Sequence, residues 1–478
     1  MKNLRRYFIS LVIVTGGLII TMGPKVLSQA NAVLPELKVH SGNHYLVSSD
    51  GTPFFWMGDT GWTLFQYTPA QMKQYFKDRA SKGFSIIQIM VIRHERENYE
   101  GQKPFTGKEP VALNESYWQY IDEIIDEAEA NGLYISLFPM WGMDADTMFP
   151  DSYDGNYQYG KLLGQRYKNR DHVIWSACGE YEKVHFYRDE QEKMVEDYSS
   201  PTEEEISFVR QIALGLEAGH GGKNLMTIHP VFTSSKHFHN DPWLDFNQQQ
   251  TWGNVIPNID RIFSDYNITP AKPVFNGEPG YENSTRKDNG YIDDFHIRAE
   301  AYTSIFSGGF GFTYGAQNIW NFGEDNTRDL SEFLHYEGAY DMKHVRNLME
   351  SRPVLIREPD QSVITSAFGS KGSRYTPGDY RAATRASDGS YVFVYSTQGK
   401  EFTIDMRKIS GPQVNAWWYN PRDGISYDNS GEQVTTPFGT YPAKGTMTFN
   451  PPGEAGVGRD WILVLDNASK EFGIPGGK

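Results

Sequence analysis

The sequence predicts an α/β fold: a (β/α)8 TIM barrel followed by a C-terminal β-sandwich domain. Between residues 54 and 314, eight short apolar runs alternate with longer amphipathic stretches, the rhythm of strand and helix around a barrel. The runs are mostly apolar throughout rather than at every second residue, as strands covered on both faces are. Beyond Pro353 the helical stretches stop, and β-type runs punctuated by turn residues take over. A chain of 478 residues is also longer than one hydrophobic core usually serves, which fits one large domain and a smaller one.

Phe54-Phe55-Trp56-Met57 is the first buried strand. The helix after it opens at Thr68-Pro69, an N-cap followed by a proline in the first helical position, and stops near Lys82-Gly83. The second strand covers residues 86–91. Residues 115–131 form a helix, because Trp118, Ile121, Ile124, Ile125 and Ala128 repeat at the spacing of one buried face, and Gly132 ends it. Strand three is 133–137, and a helix around 159–167 precedes strand four, Val173-Ile174-Trp175-Ser176-Ala177. Residues 182–205 are dense in charge without an apolar face and read as a solvated insertion. A helix around 206–217 leads to strand five, 225–228; strand six is 246–250, followed by a helix near 255–266. Strand seven is Pro273-Val274-Phe275-Asn276, and a helix at 293–306 leads to strand eight, 311–314. In the C-terminal part the β runs are 391–395, 402–404, 414–419 and 461–465, with Asp388-Gly389 and Asp423-Gly424 as turns.

The N-terminus has the layout of a cleaved secretory signal. Lys2, Arg5 and Arg6 precede an apolar run, and Ala30-Asn31-Ala32 puts small residues where a signal peptidase reads. The alternative is an uncleaved anchor, since the run approaches the length of a bilayer span. No cysteine stands near the cleavage point, which excludes a lipoprotein. The expected organisation is a signal peptide at 1–32, a catalytic barrel at 33–353 and a β-sandwich at 354–478, in a secreted or periplasmic protein. Removing the signal takes four positive charges and no acid, moving the formal charge from −15 to −19. So acidic a chain excludes nucleic acid as a partner, and no membrane contact is expected after signal cleavage. With 39% hydrophobic and 22% charged residues it is neither disordered, collagen-like nor a multi-span membrane protein. The single cysteine, Cys178, allows no intrachain disulfide.

A barrel carries its active site at the carboxyl ends of its strands. After strand four stands Cys178-Gly179-Glu180-Tyr181-Glu182, and after strand seven Gly277-Glu278-Pro279-Gly280-Tyr281-Glu282. Glu180 and Glu278 are thus placed to face each other across the mouth. Cleaving a glycosidic bond needs such a pair, one acid to protonate the leaving oxygen and one carboxylate to attack the anomeric carbon or activate water. Gly179 and Gly277 are expected to let the backbone turn beside each acid. Other strand ends carry residue types that hold sugars: Asp59 and Trp62 after strand one, Arg93 and His94 after strand two, Trp141 after strand three and His229 after strand five. Gln250 and Trp252 (with Gln249) mark strand six, Tyr281 follows Glu278, and Tyr314 (with Gln317) marks strand eight. His237-Phe238-His239 with His229 has neither the HExxH nor the Cys–His spacing of a zinc site, so neither metal nor cofactor is expected. No phosphate loop or nucleophile elbow is present.

Three segments resemble the apiosidase-like glycoside hydrolases (family 140). They are Phe55-Trp56-Met57-Gly58-Asp59-Thr60-Gly61-Trp62, the strand-four end from Val173 to Glu180, and Pro273-Val274-Phe275-Asn276-Gly277-Glu278-Pro279-Gly280-Tyr281-Glu282. The resemblance spans residues 35–350, and the C-terminal portion is similar to the collagen-binding-type β-domain found in these proteins. It implies a retaining mechanism, with Glu180 matching the acid/base position and Glu278 the nucleophile. The family's strand-four acid is commonly Asp, so Glu180 is a departure, with a longer side chain. The expected partner is an oligo- or polysaccharide of plant or microbial origin. The alternatives are an inactive carbohydrate-binding or surface-adhesion protein on the same fold, and a metal-dependent hydrolase.

Overall fold

The computed structural model describes residues 33–93, 96–107, 112–142, 153–182, 184–188, 194–198, 201–253, 255–286, 290–322, 328–373 and 376–477. The signal at 1–32 and His94 lie outside these residues. The eight barrel strands are Trp56–Thr60, Ile86–Met90, Tyr134–Phe138, Val173–Gly179, Met226–His229, Asn247–Gln250, Val274–Glu278 and Gly311–Tyr314. They pair in parallel in the spatial order five-four-three-two-one-eight-seven-six. Strands five and six complete the ring: the Asp245 amide donates to the Met226 carbonyl at 2.9 Å and Thr227 Oγ1 to the Phe246 carbonyl at 2.8 Å.

Side chains alternate in and out along each strand. The lowest inward layer is bulky: Trp56, Ile86, Tyr134, Ile174, Phe246, Phe275 and Phe310 fill the base with Leu37, Tyr45 and Leu46 from a short meander (Leu37–Val39, Leu46–Ser48, Pro53–Phe54) that plugs it. This meander precedes the first element the sequence signals. Above that layer the interior turns polar and small, with Gln88, Ser136, Ser176, Gln248, Gly277 and Thr313.

The surrounding helices are Pro69–Ser81, Glu115–Ala130, Tyr153–Tyr167, Glu203–His220, Val255–Tyr266, Asp294–Phe306 and Glu337–Glu350, with one turn, Ser235–Phe238, after strand five. Thr68 and Gln71 close a capping box on the first helix, and Thr202 and Glu205 close one on the fourth. That second box starts the helix three residues before the first apolar position, inside the acidic stretch. The rest of that stretch, which reads as a solvated insertion, contains an antiparallel pair, Val184–Arg188 with Met194–Tyr198. The last helix, Glu337–Glu350, falls between two segments the periodicity marks and was not anticipated.

Helices Tyr153–Tyr167 and Glu203–His220 meet backbone to backbone. A Cβ on Gly215 would stand 2.2 Å from the Tyr157 carbonyl oxygen, and one on Gly164 2.5 Å from that of Leu216. Only glycine allows this approach. Gly215→Val is therefore expected to lower unfolding free energy by about 3 kcal/mol or more, since overpacking here pushes on main chain rather than on flexible side chains. Denaturant titration against Ala218→Val, on the exposed face of the same helix, checks this; equal losses would reject it.

The C-terminal sheet runs Arg357–Pro359, Arg381–Ala386, Tyr391–Ser396, Trp461–Asn467, Gln413–Asn420 and Ile425–Tyr427, with Gly439–Pro442 also on Gln413–Asn420. One face packs on the pair Phe402–Asp405 and Thr446–Phe449 through Val392, Val394, Trp418, Leu463 and Leu465, making the expected sandwich. The other face packs on the barrel: Tyr395 on Tyr302 and Phe393 on Phe306. Arg298, buried on the helix Asp294–Phe306, reaches Asp341 at 2.6 Å and Asp460 of the sandwich at 3.0 Å. Among the described residues no helix is long and apolar enough to cross a membrane.

Candidate active site

Glu278 is the last residue of strand seven, and Glu180 follows the last residue of strand four. Glu180 has φ +39°, a conformation side chains rarely adopt, so the strand end holds it against its backbone preference. Its amide donates to the His229 carbonyl at 2.7 Å. Its carboxylate is gripped from two sides: Trp141 Nε1 donates to Oε2 at 3.0 Å and Gln250 Nε2 to Oε1 at 2.8 Å. Across the mouth, His229 Nε2 lies 2.9 Å from Glu278 Oε2, and Gln248 holds the other ring nitrogen, Nδ1. One carboxylate oxygen of Glu180, one of Glu278 and one His229 nitrogen all lie within 4.8 Å of one another.

Aromatic rings wall this group. His229 stands among Trp141 (5.4 Å between centroids), Trp62 (5.6 Å) and Phe138 (5.7 Å). Trp62 Nε1 donates to the Tyr281 hydroxyl at 2.7 Å, and that hydroxyl lies beside Glu278. Burial pushes the Glu180 carboxyl up from its ordinary range, and the Glu278 charge pushes it further. His229 and the bonds from Gln250 and Trp141 oppose this without reversing it. An acid so placed holds its proton to higher pH than a surface glutamate.

Gly179 and Gly277 serve a different end from the turns expected of them. A Cβ on Gly179 would meet the Trp141 ring at 2.1 Å, and one on Gly277 the Gln248 amide at 2.1 Å. They admit the groups that position the acid and the histidine, while Glu180 itself carries the positive φ. Of the other expected residues, Trp252 is half-buried at the rim against Phe232 (5.9 Å), and Arg93 lies over the Trp320 ring at 5.5 Å. Trp320, 5.8 Å from Tyr281, was not singled out because it lies six residues past strand eight. Asp59 and Tyr314 are not brought to the group. Both project outward: Asp59 accepts from Tyr75 and Arg79, and Tyr314 donates to Glu282 at 2.6 Å. Gln249 likewise turns outward to Asp265 at 2.9 Å. Residues 237 and 239 also stand apart from His229, with His239 bound to Asn247 and the Pro270 carbonyl.

Residues 40–355 match the family described as "Apiosidase-like, catalytic domain". The chain belongs to the apiosidase-like family. Residues 358–466 of this apiosidase-like chain match the "Putative collagen-binding domain of a collagenase". The fold is similar to a solved glycoside hydrolase (28% identity, TM-score 0.76, covering 92% of this chain and 98% of that one). It is also similar to a family 5 glycoside hydrolase from Bacteroides vulgatus (28%, TM-score 0.77, covering 91% and 94%). No curated protein matches. The apiosidase-like chain is a glycoside hydrolase built on the barrel.

Proposed function

We propose that the apiosidase-like chain cleaves a glycosidic bond in plant or microbial polysaccharide with retention of anomeric configuration, Glu278 acting as nucleophile and Glu180 as acid/base. The observation that carries the reading is the spacing: one carboxylate oxygen from each glutamate, within 4.8 Å of each other, leaves no room for the water that an inverting enzyme places between its base carboxylate and the anomeric carbon. Glu278 attacks the anomeric carbon as the bond to the leaving oxygen breaks, and Glu180 delivers its proton to that oxygen. Water then displaces Glu278 from the glycosyl-enzyme while Glu180 takes the proton back. Trp141 and Gln250 keep Glu180 aimed through both steps, and Trp62, Trp320 and Arg93 line the approach. Export rests on the basic and apolar N-terminal segment and its Ala30-Asn31-Ala32 site.

The test is proton NMR of the first-formed anomer from a glycan the chain degrades, with a pH profile beside it. Retention is expected, with activity falling as pH rises through the elevated Glu180 pKa, since the first step needs the protonated form. In Glu180→Gln that alkaline limb should vanish with most of the rate on poor leaving groups. An inverted product would reject the double displacement; saccharide binding with no product would favour the non-catalytic alternative.

A further inference from the structure

We propose that Glu300, on the helix Asp294–Phe306 after strand seven, is a positioning residue: its carboxylate ties together the two loops that carry Gln250 and Glu278, and so sets acid/base against nucleophile. This rests on the roles proposed above for Glu180 and Glu278. Glu300 is 1% exposed. Its Oε1 accepts from the Thr251 hydroxyl at 3.0 Å and its Oε2 from the Gly280 amide at 2.9 Å, and the Gly253 amide also bonds to the carboxylate. Thr251 stands next to Gln250, whose side chain holds Glu180, and Gly280 stands two residues past Glu278. One carboxylate therefore spans both loops. The loops also meet directly: the Thr251 amide donates to the Glu278 carbonyl at 2.9 Å, and a Cβ on Gly280 would stand 2.8 Å from the Gly253 Cα.

The first loop needs such a hold. It turns through Trp252 at φ +48° and Gly253 at φ +79°, and the left-handed conformation is unfavourable for a residue with a Cβ. Thr251 Oγ1 accepts from Asn276 Nδ2 at 2.8 Å, which directs the hydroxyl proton toward Glu300. Hydrogen bonds to a carboxylate are stronger than neutral ones, so three donors converging on one group fix the turn firmly. The arrangement costs stability: among the described residues Glu300 forms no ion pair, and burial pushes its pKa up to about 7. What it returns is geometry. An apolar side chain could fill the space, but it would leave the Gly280 amide and the Thr251 hydroxyl without their acceptor. A released loop would carry Gln250, and with it Glu180, away from Glu278, and a displacement of about 1 Å costs roughly a hundredfold in rate.

Kinetics on a glycan that the wild type cleaves, with crystal structures of the variants, test this. Glu300→Ala, checked for folding by near-UV circular dichroism, should lower kcat about a hundredfold with KM within about threefold. Its structure should show residues 250–253 displaced and the Gln250–Glu180 hydrogen bond lost. Glu300→Gln keeps an acceptor for the Gly280 amide and should recover kcat to within about tenfold of the wild type. The control is Glu282→Ala, which empties a carboxylate of like burial bound to Gly338 and Tyr314. It should lower the melting temperature as much and kcat by less than about tenfold. An unmoved loop in Glu300→Ala, or equal losses of kcat in the two alanine variants, overturns the positioning role and leaves the double displacement standing. Should Glu300→Ala fail to fold, Thr251→Val decides, since unchanged kcat there rejects the role. An inverted product from the wild type removes the double displacement alone, because the displaced loop is read without reference to the anomer.

Discussion

Glu278→Gln is expected to lower kcat by about four to six orders of magnitude, because in the double displacement proposed above it removes the carboxylate that forms the glycosyl-enzyme bond. The amide matches the carboxylate in shape, and Glu278 sits at a strand end whose backbone pairing does not involve its side chain. The melting temperature should therefore move by only a few degrees. Product chromatography on a glycan cleaved by the wild type measures the loss, and residual activity above about one per cent would remove Glu278 from the nucleophile's role. Glu282 is the matched control. It lies four residues on in the same segment, but its carboxylate accepts from the Gly338 amide at 3.0 Å and from Tyr314 at 2.6 Å, and burial raises its pKa to about 7. Glu282→Gln should cost stability and leave the chemistry within about tenfold of the wild type.

The contrast between these two glutamates shows what the sequence makes legible. Most strands buried on both faces write themselves as apolar runs, whereas the sixth, Asn247–Gln250, is polar along its length and is the weakest signal; the barrel then assigns the residues after each strand to one rim. Glu180 and Glu278 follow from that register. What it does not report is which way a residue points when a strand is buried on both sides: Asp59 and Gly58 look equally near the mouth, and only the two-residue alternation from inward Trp56 sends Asp59 out to the helices. Gly179 and Gly277 were visible as glycines, but the Trp141 ring and Gln248 amide they admit come from other strands, 38 and 29 residues away in the chain. The meander plugging the barrel, the hairpin at 184–198 and the helix Glu337–Glu350 went unread for a common reason. Their apolar positions are too few or too interrupted by charge to show a period; the meander and the helix are set by packing against elements far away in the chain, and strands 184–188 and 194–198 by pairing with each other.

Asp59→Asn separates a sugar ligand from a structural anion, and the structure makes it the second. Asp59 and Arg79 are both fully buried, with Nε 2.5 Å from Oδ2, and Tyr75 donates to the same oxygen at 2.6 Å. The guanidinium is enclosed by the rings of Tyr75, Phe84 and Tyr314 at 5.3–5.7 Å. Neutralising Asp59 leaves that cation out of water with Asp78, at 2.7 Å, as its one remaining carboxylate partner among the described residues. Breaking a buried pair in this way costs about 3 kcal/mol or more, so the denaturation midpoint of Asp59→Asn should fall clearly below that of the wild type, while KM of the folded enzyme stays within about twofold. A raised KM with unchanged stability would return Asp59 to the sugar-binding group that its position after strand one first implied. The double variant Asp59→Asn/Arg79→Met carries the same test further. If the loss comes from a stranded charge, removing the partner as well should recover part of it, and the two single losses should sum to more than the loss of the pair.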